Sequence, residues 1–195
     1  MKETLVILII YLVFHYYNVN NLKEEVSEYY NKRIEQKKIK QKVYDISFKH
    51  LPNLEKYEYL SDITAILIVI PIIFYPRIFK EYIGFWIVIF LIRSITIRLT
   101  VLPKSNNCDN NNFINLGTCY EKIFSGHFSS VLLATMLYYK YNIIDIQTLS
   151  LLNIINGGLI ILTRHHYTID IVVAFFVTLF VYQNNLSINR IFSKF

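Results

Sequence analysis

Six apolar runs, near residues 3–18, 60–76, 82–100, 126–141, 146–163 and 167–183, constrain this chain more than any other feature. Roughly 17 to 25 residues suffice to cross a hydrocarbon layer as a helix. None of the runs alternates apolar and polar residues as a barrel strand would, and lipid leaves only helices or closed barrels able to satisfy the backbone. The expected fold is therefore all-α: a polytopic membrane protein built as a six-transmembrane-helix bundle, with its polar residues of interest at one membrane face. A hydrophobic content of 54% over 195 residues agrees with a membrane protein better than with a soluble domain. If all six runs span, the 1–2, 3–4 and 5–6 connections share one side. The polar stretches that open runs four and six then meet there.

The net charge of +6 does not point to nucleic acid. The basic residues lie mainly between apolar runs rather than interleaved with aromatics, so anionic headgroups of the bilayer are the simpler partner. Two cysteines, Cys108 and Cys119, share one polar segment. They are too few for a disulfide framework and lack zinc-site clustering, which leaves one optional disulfide. The first run, "TLVILIIYLVFHYY", is followed by "NVNNLKEE" without a small-residue cleavage site, as expected of an uncleaved signal anchor. A charged stretch then reaches about Val43. Two parts are expected: an anchor helix with its charged connection, 1–58, and a helix bundle, 59–195. Whether the chain forms oligomers is left open.

The chemistry is concentrated at the heads of runs four and six. His166 and Asp170 stand four residues apart, a spacing that puts both on one face of a helix. An aspartate on one imidazole nitrogen fixes the tautomer and leaves the other basic, as a histidine nucleophile or base requires. The bland alternative is a buried aspartate paired with a nearby cation. Ser125, Gly126 and His127 open run four, and a serine and glycine before an apolar run read as a helix N-terminus suited to a phosphate. Arg93, inside the third run, and Arg164, beside the histidines, are candidates to neutralise that phosphate. Arg98 has the simpler explanation of snorkelling to the interface.

Two histidines and one carboxylate suit phosphoryl transfer without a metal, one imidazole attacking phosphorus while the other moves the proton. The competing use is metal binding by His127, His165, His166 and Asp170. It is disfavoured because no HExxH-like pair is present and adjacent residues 165 and 166 would point to different faces of a helix. The expectation is no metal and no cofactor.

At these residues the chain resembles the sphingomyelin synthase family, a branch of the type 2 phosphatidic acid phosphatase superfamily. "CYEKIFSGH", Cys119 to His127, is similar to the signature C-G-D-x-[IL]-F-S-G-H-T, and "HYTIDIVVAFFVT", His166 to Thr178, resembles H-Y-T-x-D-V-x-x-A-[YF]-[FWY]-x-T. "RSITIRLTVLP" and "HLPNLEKYEYLSD" are weaker echoes of the two other signature regions. The resemblance implies a six-helix enzyme with His127, His166 and Asp170 as its catalytic triad. His166 would take the phospho-headgroup from a phospholipid donor, Asp170 would orient it, and His127 would protonate departing diacylglycerol and then activate the hydroxyl of a ceramide acceptor. Phosphocholine is the leading headgroup, with phosphoethanolamine or phosphoinositol close behind.

Tyr120, Glu121 and Phe128 depart from the signature's glycine, aspartate and threonine, which bears on the headgroup pocket. The alternative is a lipid phosphate phosphatase using water as acceptor. Such phosphatases carry K-x6-R-P and an arginine six residues before the second histidine, where this chain has Ile160. A third reading is a scaffold that has lost activity, against which the intact triad stands. The resemblance implies a secretory-pathway or plasma-membrane protein with a luminal or extracellular site, a side on which a Cys108–Cys119 disulfide would fit. The lysine-rich first connection argues the opposite orientation.

Overall fold

The computed structural model describes residues 6, 8–17, 21, 28–29, 43–100, 102 and 123–184. Seven α-helices occur among them: α1 (Leu8–Tyr17), α2 (Ile46–His50), α3 (Tyr59–Val69), α4 (Pro76–Leu99), α5 (Gly126–Lys140), α6 (Ile146–Leu162) and α7 (Thr168–Gln183). A tighter 3-10 turn, Ile70–Phe74, carries α3 on toward Pro76, which starts α4 where a missing N–H costs nothing. No strand occurs among the described residues, so the expectation of an all-α chain agrees with the fold.

α5 occupies the centre, packed against α3, α4, α6 and α7. Val131, Leu133, Ala134 and Leu137 on α5 are fully enclosed, together with Phe85 of α4, Ile160 of α6 and Ala174 of α7. A helix apolar on all sides is one surrounded by protein or by lipid. Here protein surrounds it.

That packing corrects the expectation of six spans. Among the described residues, two helical stretches are long and apolar enough to cross a membrane: Glu55–Phe74, with 20 residues, and Pro76–Leu99, with 24. α6 and α7 have 17 and 16 residues. At 1.5 Å per residue they rise only about 24 to 26 Å, short of a hydrocarbon core of roughly 30 Å. α5, with 15 residues, is shorter still. The expectations of a multi-pass integral membrane protein and of a luminal or extracellular site are corrected by the same finding, because the alternation of sides required all six runs to cross.

The end of α5 and the start of α6 are set by chemistry legible in the residues. Asn142, with φ 54°, ends α5: its N–H bonds to Tyr139 O and that of Ile143 to Tyr138 O, a left-handed cap that asparagine tolerates. Asp145 then starts α6, its carboxylate accepting the Thr148 N–H at 2.8 Å.

Candidate active site

The turn from α6 to α7 delivers both histidines of "TRHHYTID". α6 closes with the same double bond as α5, Arg164 N–H to Ile161 O and His165 N–H to Ile160 O, both at 3.1 Å. The residue forced into the left-handed region is here Arg164, φ 59°, where glycine or asparagine is usual and the Cβ of another residue costs on the order of 1 kcal/mol. Its guanidinium compensates by donating to the carbonyls of Phe48 and Leu51, at 3.1 and 2.9 Å, and lies over the Phe48 ring at 4.2 Å.

His166 precedes α7 rather than lying on it. Asp170, the third residue of α7, turns its carboxylate back across the helix head. There Oδ2 accepts the Tyr167 N–H at 3.0 Å and contacts His166 Nδ1 at 3.2 Å. The four-residue spacing therefore meets through a helix cap instead of a shared helical face, and both side chains are buried. A second carboxylate steadies the same head from outside. Asp45 caps α2 through the Ser47 and Phe48 N–H groups and also accepts the Thr168 N–H at 2.7 Å and the Thr168 hydroxyl at 2.8 Å. With Phe48 stacked on Tyr167, α2 is fastened over the turn.

His127 enters from the head of α5. Ser125 caps that helix, its hydroxyl accepting the Phe128 N–H at 3.3 Å, and its own N–H reaches Asp170 O, which ties the heads of α5 and α7 together. Gly126 lets α5 approach α4: a Cβ there would come 3.1 Å from Phe90 and 3.4 Å from Arg93 Nε. Arg93 is buried and donates through Nε to Phe124 O at 3.0 Å. Phe128 turns away from His127 into the core, where its ring lies 3.0 Å from the place a Cβ on residue 157 would occupy.

The third wall is α3 and the residue before it, which sequence reasoning left unassigned. Asp62 Oδ1 lies 2.9 Å from His127 Nε2. Ser61 Oγ and Glu58 Oε1 lie 3.2 and 3.4 Å from His165 Nδ1. The spacing of Glu58, Ser61 and Asp62, i, i+3 and i+4 at the head of an apolar run, was the available signal for a polar helix face. The rings of His127 and His165 stand 4.9 Å apart, and those of His165 and His166 are stacked at 5.3 Å. One ligand-type nitrogen from each of the three histidines lies within 4.8 Å of the others. Adjacent residues 165 and 166 converge because they sit in a turn, so the objection that they face apart on a helix does not hold.

The structure thus brings His127, His166 and Asp170 together with Ser125 and Gly126, and adds Asp62, Glu58 and Ser61. Arg93 and Arg164 flank the cluster with guanidinium bonds to backbone carbonyls. Cys108, Cys119, Tyr120 and Glu121 lie outside the described residues. Chemically, imidazoles each in contact with a carboxylate, two of them beside helix N-termini, can relay protons and attack or ligate an electrophile.

No curated protein matches the chain. Residues 118–186, which contain all three clustered histidines and Asp170, match the family described as PAP2 superfamily C-terminal. The histidine cluster and this match together support enzymatic activity of that superfamily's type: the chain carries a domain of the type 2 phosphatidic acid phosphatase superfamily.

Proposed function

We propose that the chain is a lipid headgroup transferase of the PAP2 type that moves a phospho-headgroup, phosphocholine, from a glycerophospholipid to ceramide. The observation that carries this reading is the His166–Asp170 contact at 3.2 Å beside a second carboxylate-bound imidazole, His127. With Nδ1 held by Asp170, Nε2 of His166 is the attacking atom. It forms a P–N bond as the P–O bond to diacylglycerol breaks, and His127 gives its proton to the departing alkoxide. The ceramide primary hydroxyl then loses its proton to His127, its oxygen bonds phosphorus, and the P–N bond breaks. Both imidazoles return to their starting states.

The heads of α5 and α7 supply backbone N–H groups and dipole ends that favour the phosphate, and Arg93 and Arg164 add positive charge to its surroundings. α3 supports a lipid substrate: the helix that carries Asp62 leaves Ile63, Ile66 and Leu67 exposed, an apolar track leading from the polar cluster. The runner-up, hydrolysis of a lipid phosphate with water as acceptor, shares every step before the acceptor enters. Ile160 favours transfer over that reading, because its side chain is wholly buried in the core where a phosphatase would present an arginine.

The test supplies purified chain with phosphatidylcholine and fluorescent ceramide in mixed micelles and resolves the lipid products. A fluorescent phosphosphingolipid that vanishes in His166→Ala is expected. Release of inorganic phosphate from phosphatidic acid without any phosphosphingolipid would replace the transferase by the phosphatase.

A further inference from the structure

His165 has no step in the transfer scheme, yet it is built into the cluster with the same care as its neighbours. Its ring meets that of His127 edge-on and stacks on that of His166, and its Nδ1 is addressed by Glu58 and Ser61. The result is three imidazoles with three carboxylates: Asp62 for His127, Glu58 for His165 and Asp170 for His166. A carboxylate on one nitrogen is how metal-ligating histidines are oriented and made more basic at the other.

We propose that His127, His165 and His166 form a binding site for a divalent transition-metal ion of the zinc class, and that its occupancy silences the enzyme. Three histidines with a fourth position open to water or an anion is an established zinc coordination set. Nitrogens bound at about 2.0 to 2.1 Å around a tetrahedral ion stand roughly 3.4 Å apart. The 4.8 Å envelope of the cluster therefore closes by side-chain rotation of about 1 Å. His127 and His165 retain 36% and 20% side-chain exposure, which gives the ion access and the rings room to turn. Nitrogen ligands select zinc, cobalt or nickel over magnesium and calcium, which prefer oxygen. A His166 nitrogen that ligates the ion cannot attack phosphorus. The switch rests on the transfer reading, whereas the binding site does not.

The experiment uses the purified full chain, stripped of metal, and His165→Gln, which removes one ligand and leaves His127, His166 and Asp170 in place. Cobalt(II) is titrated with its visible tetrahedral absorption as the readout, then displaced by zinc, while lipid product formation is followed in parallel. The expected result is one ion per chain, with affinity falling by about tenfold or more in His165→Gln. Zinc inhibition, read as a fraction of each protein's own metal-free turnover, should shift by the same factor. Equal affinity in the two proteins, or equal displacement by magnesium, would overturn the site; tight binding with undiminished turnover would overturn the switch. If the stripped enzyme turns over no lipid, the transfer reading fails by itself and the cobalt titration still decides the site.

Discussion

Asp62 of α3 holds Nε2 of His127, on α5, at 2.9 Å, so the two polar helix heads are joined at the histidine to which the proposed transfer assigns the proton. In the proposed transfer, a carboxylate in that place fixes the ring's orientation and steadies the imidazolium that the first half-reaction consumes and the second restores. Asp62→Asn should lower kcat by about 10- to 100-fold, at or below the low end of the roughly 100- to 10,000-fold that an acid–base group itself contributes, because Asp62 acts through His127, with KM little changed. Asp62→Glu should recover part of the loss. Wild-type kcat in the asparagine variant would show that the contact has no part in turnover.

Asp170→Asn tests the other pair. An amide can still accept the Tyr167 N–H, so the head of α7 should survive, but it presents the wrong partner to His166 Nδ1 and disturbs the tautomer. Loss of this role in a comparable histidine–aspartate pair lowers turnover by about ten-thousandfold. The variant should lose at least about a thousandfold in kcat with a near-native circular dichroism spectrum. A tenfold effect or smaller would mean that Asp170 serves chiefly as a cap.

Arg164 separates backbone strain from side-chain contact. Arg164→Gly removes the left-handed penalty and the clamp on Phe48 and Leu51 together, whereas Arg164→Ala removes the clamp and keeps the penalty. Hydrogen bonds from a charged donor contribute about 1.5 to 3 kcal/mol. Both variants should therefore unfold at lower denaturant, with alanine the less stable by about 1 kcal/mol. If alanine is as stable as the native arginine, the carbonyl contacts contribute nothing net.

The helices and the histidine signatures were legible in the sequence because both are local patterns, an apolar run and a four-residue spacing. The fate of the apolar runs was not local. "GHFSSVLLATMLYYK" has the composition of a span and becomes the core helix α5, since burial by neighbouring helices and burial by lipid ask for the same residues. The reach of Asp62 and Glu58 to histidines 65 and 107 positions away was likewise hidden, because nothing in "EYLSD" states which helix it will face. Arg164 was read as a phosphate ligand from its place beside the histidines, and its left-handed backbone could not be foreseen where asparagine or glycine is the rule.

Phe128 and Gly157 are a packing pair that bears on the signature's missing threonine. Alanine at 157 would place its Cβ 3.0 Å from the Phe128 ring, tighter than most such contacts, so the ring must give by a few tenths of an ångström. Gly157→Ala should destabilise the native protein by about 1 to 3 kcal/mol. In a Phe128→Leu background it should cost clearly less, a coupling that a double-mutant cycle reads by chemical denaturation. Additive effects would remove the pair from the account.

The proposed transfer turns on a covalent bond between phosphorus and His166, a bond that can be trapped. Rapid quenching at alkaline pH, after mixing enzyme with phospholipid carrying a labelled headgroup phosphate, preserves an acid-labile phosphoramidate for peptide mass spectrometry. The label is expected on His166, absent in His166→Ala, and chased by ceramide into phosphosphingolipid. Label on His127 or His165 instead, or turnover that proceeds with no labelled histidine at any time, would contradict the account.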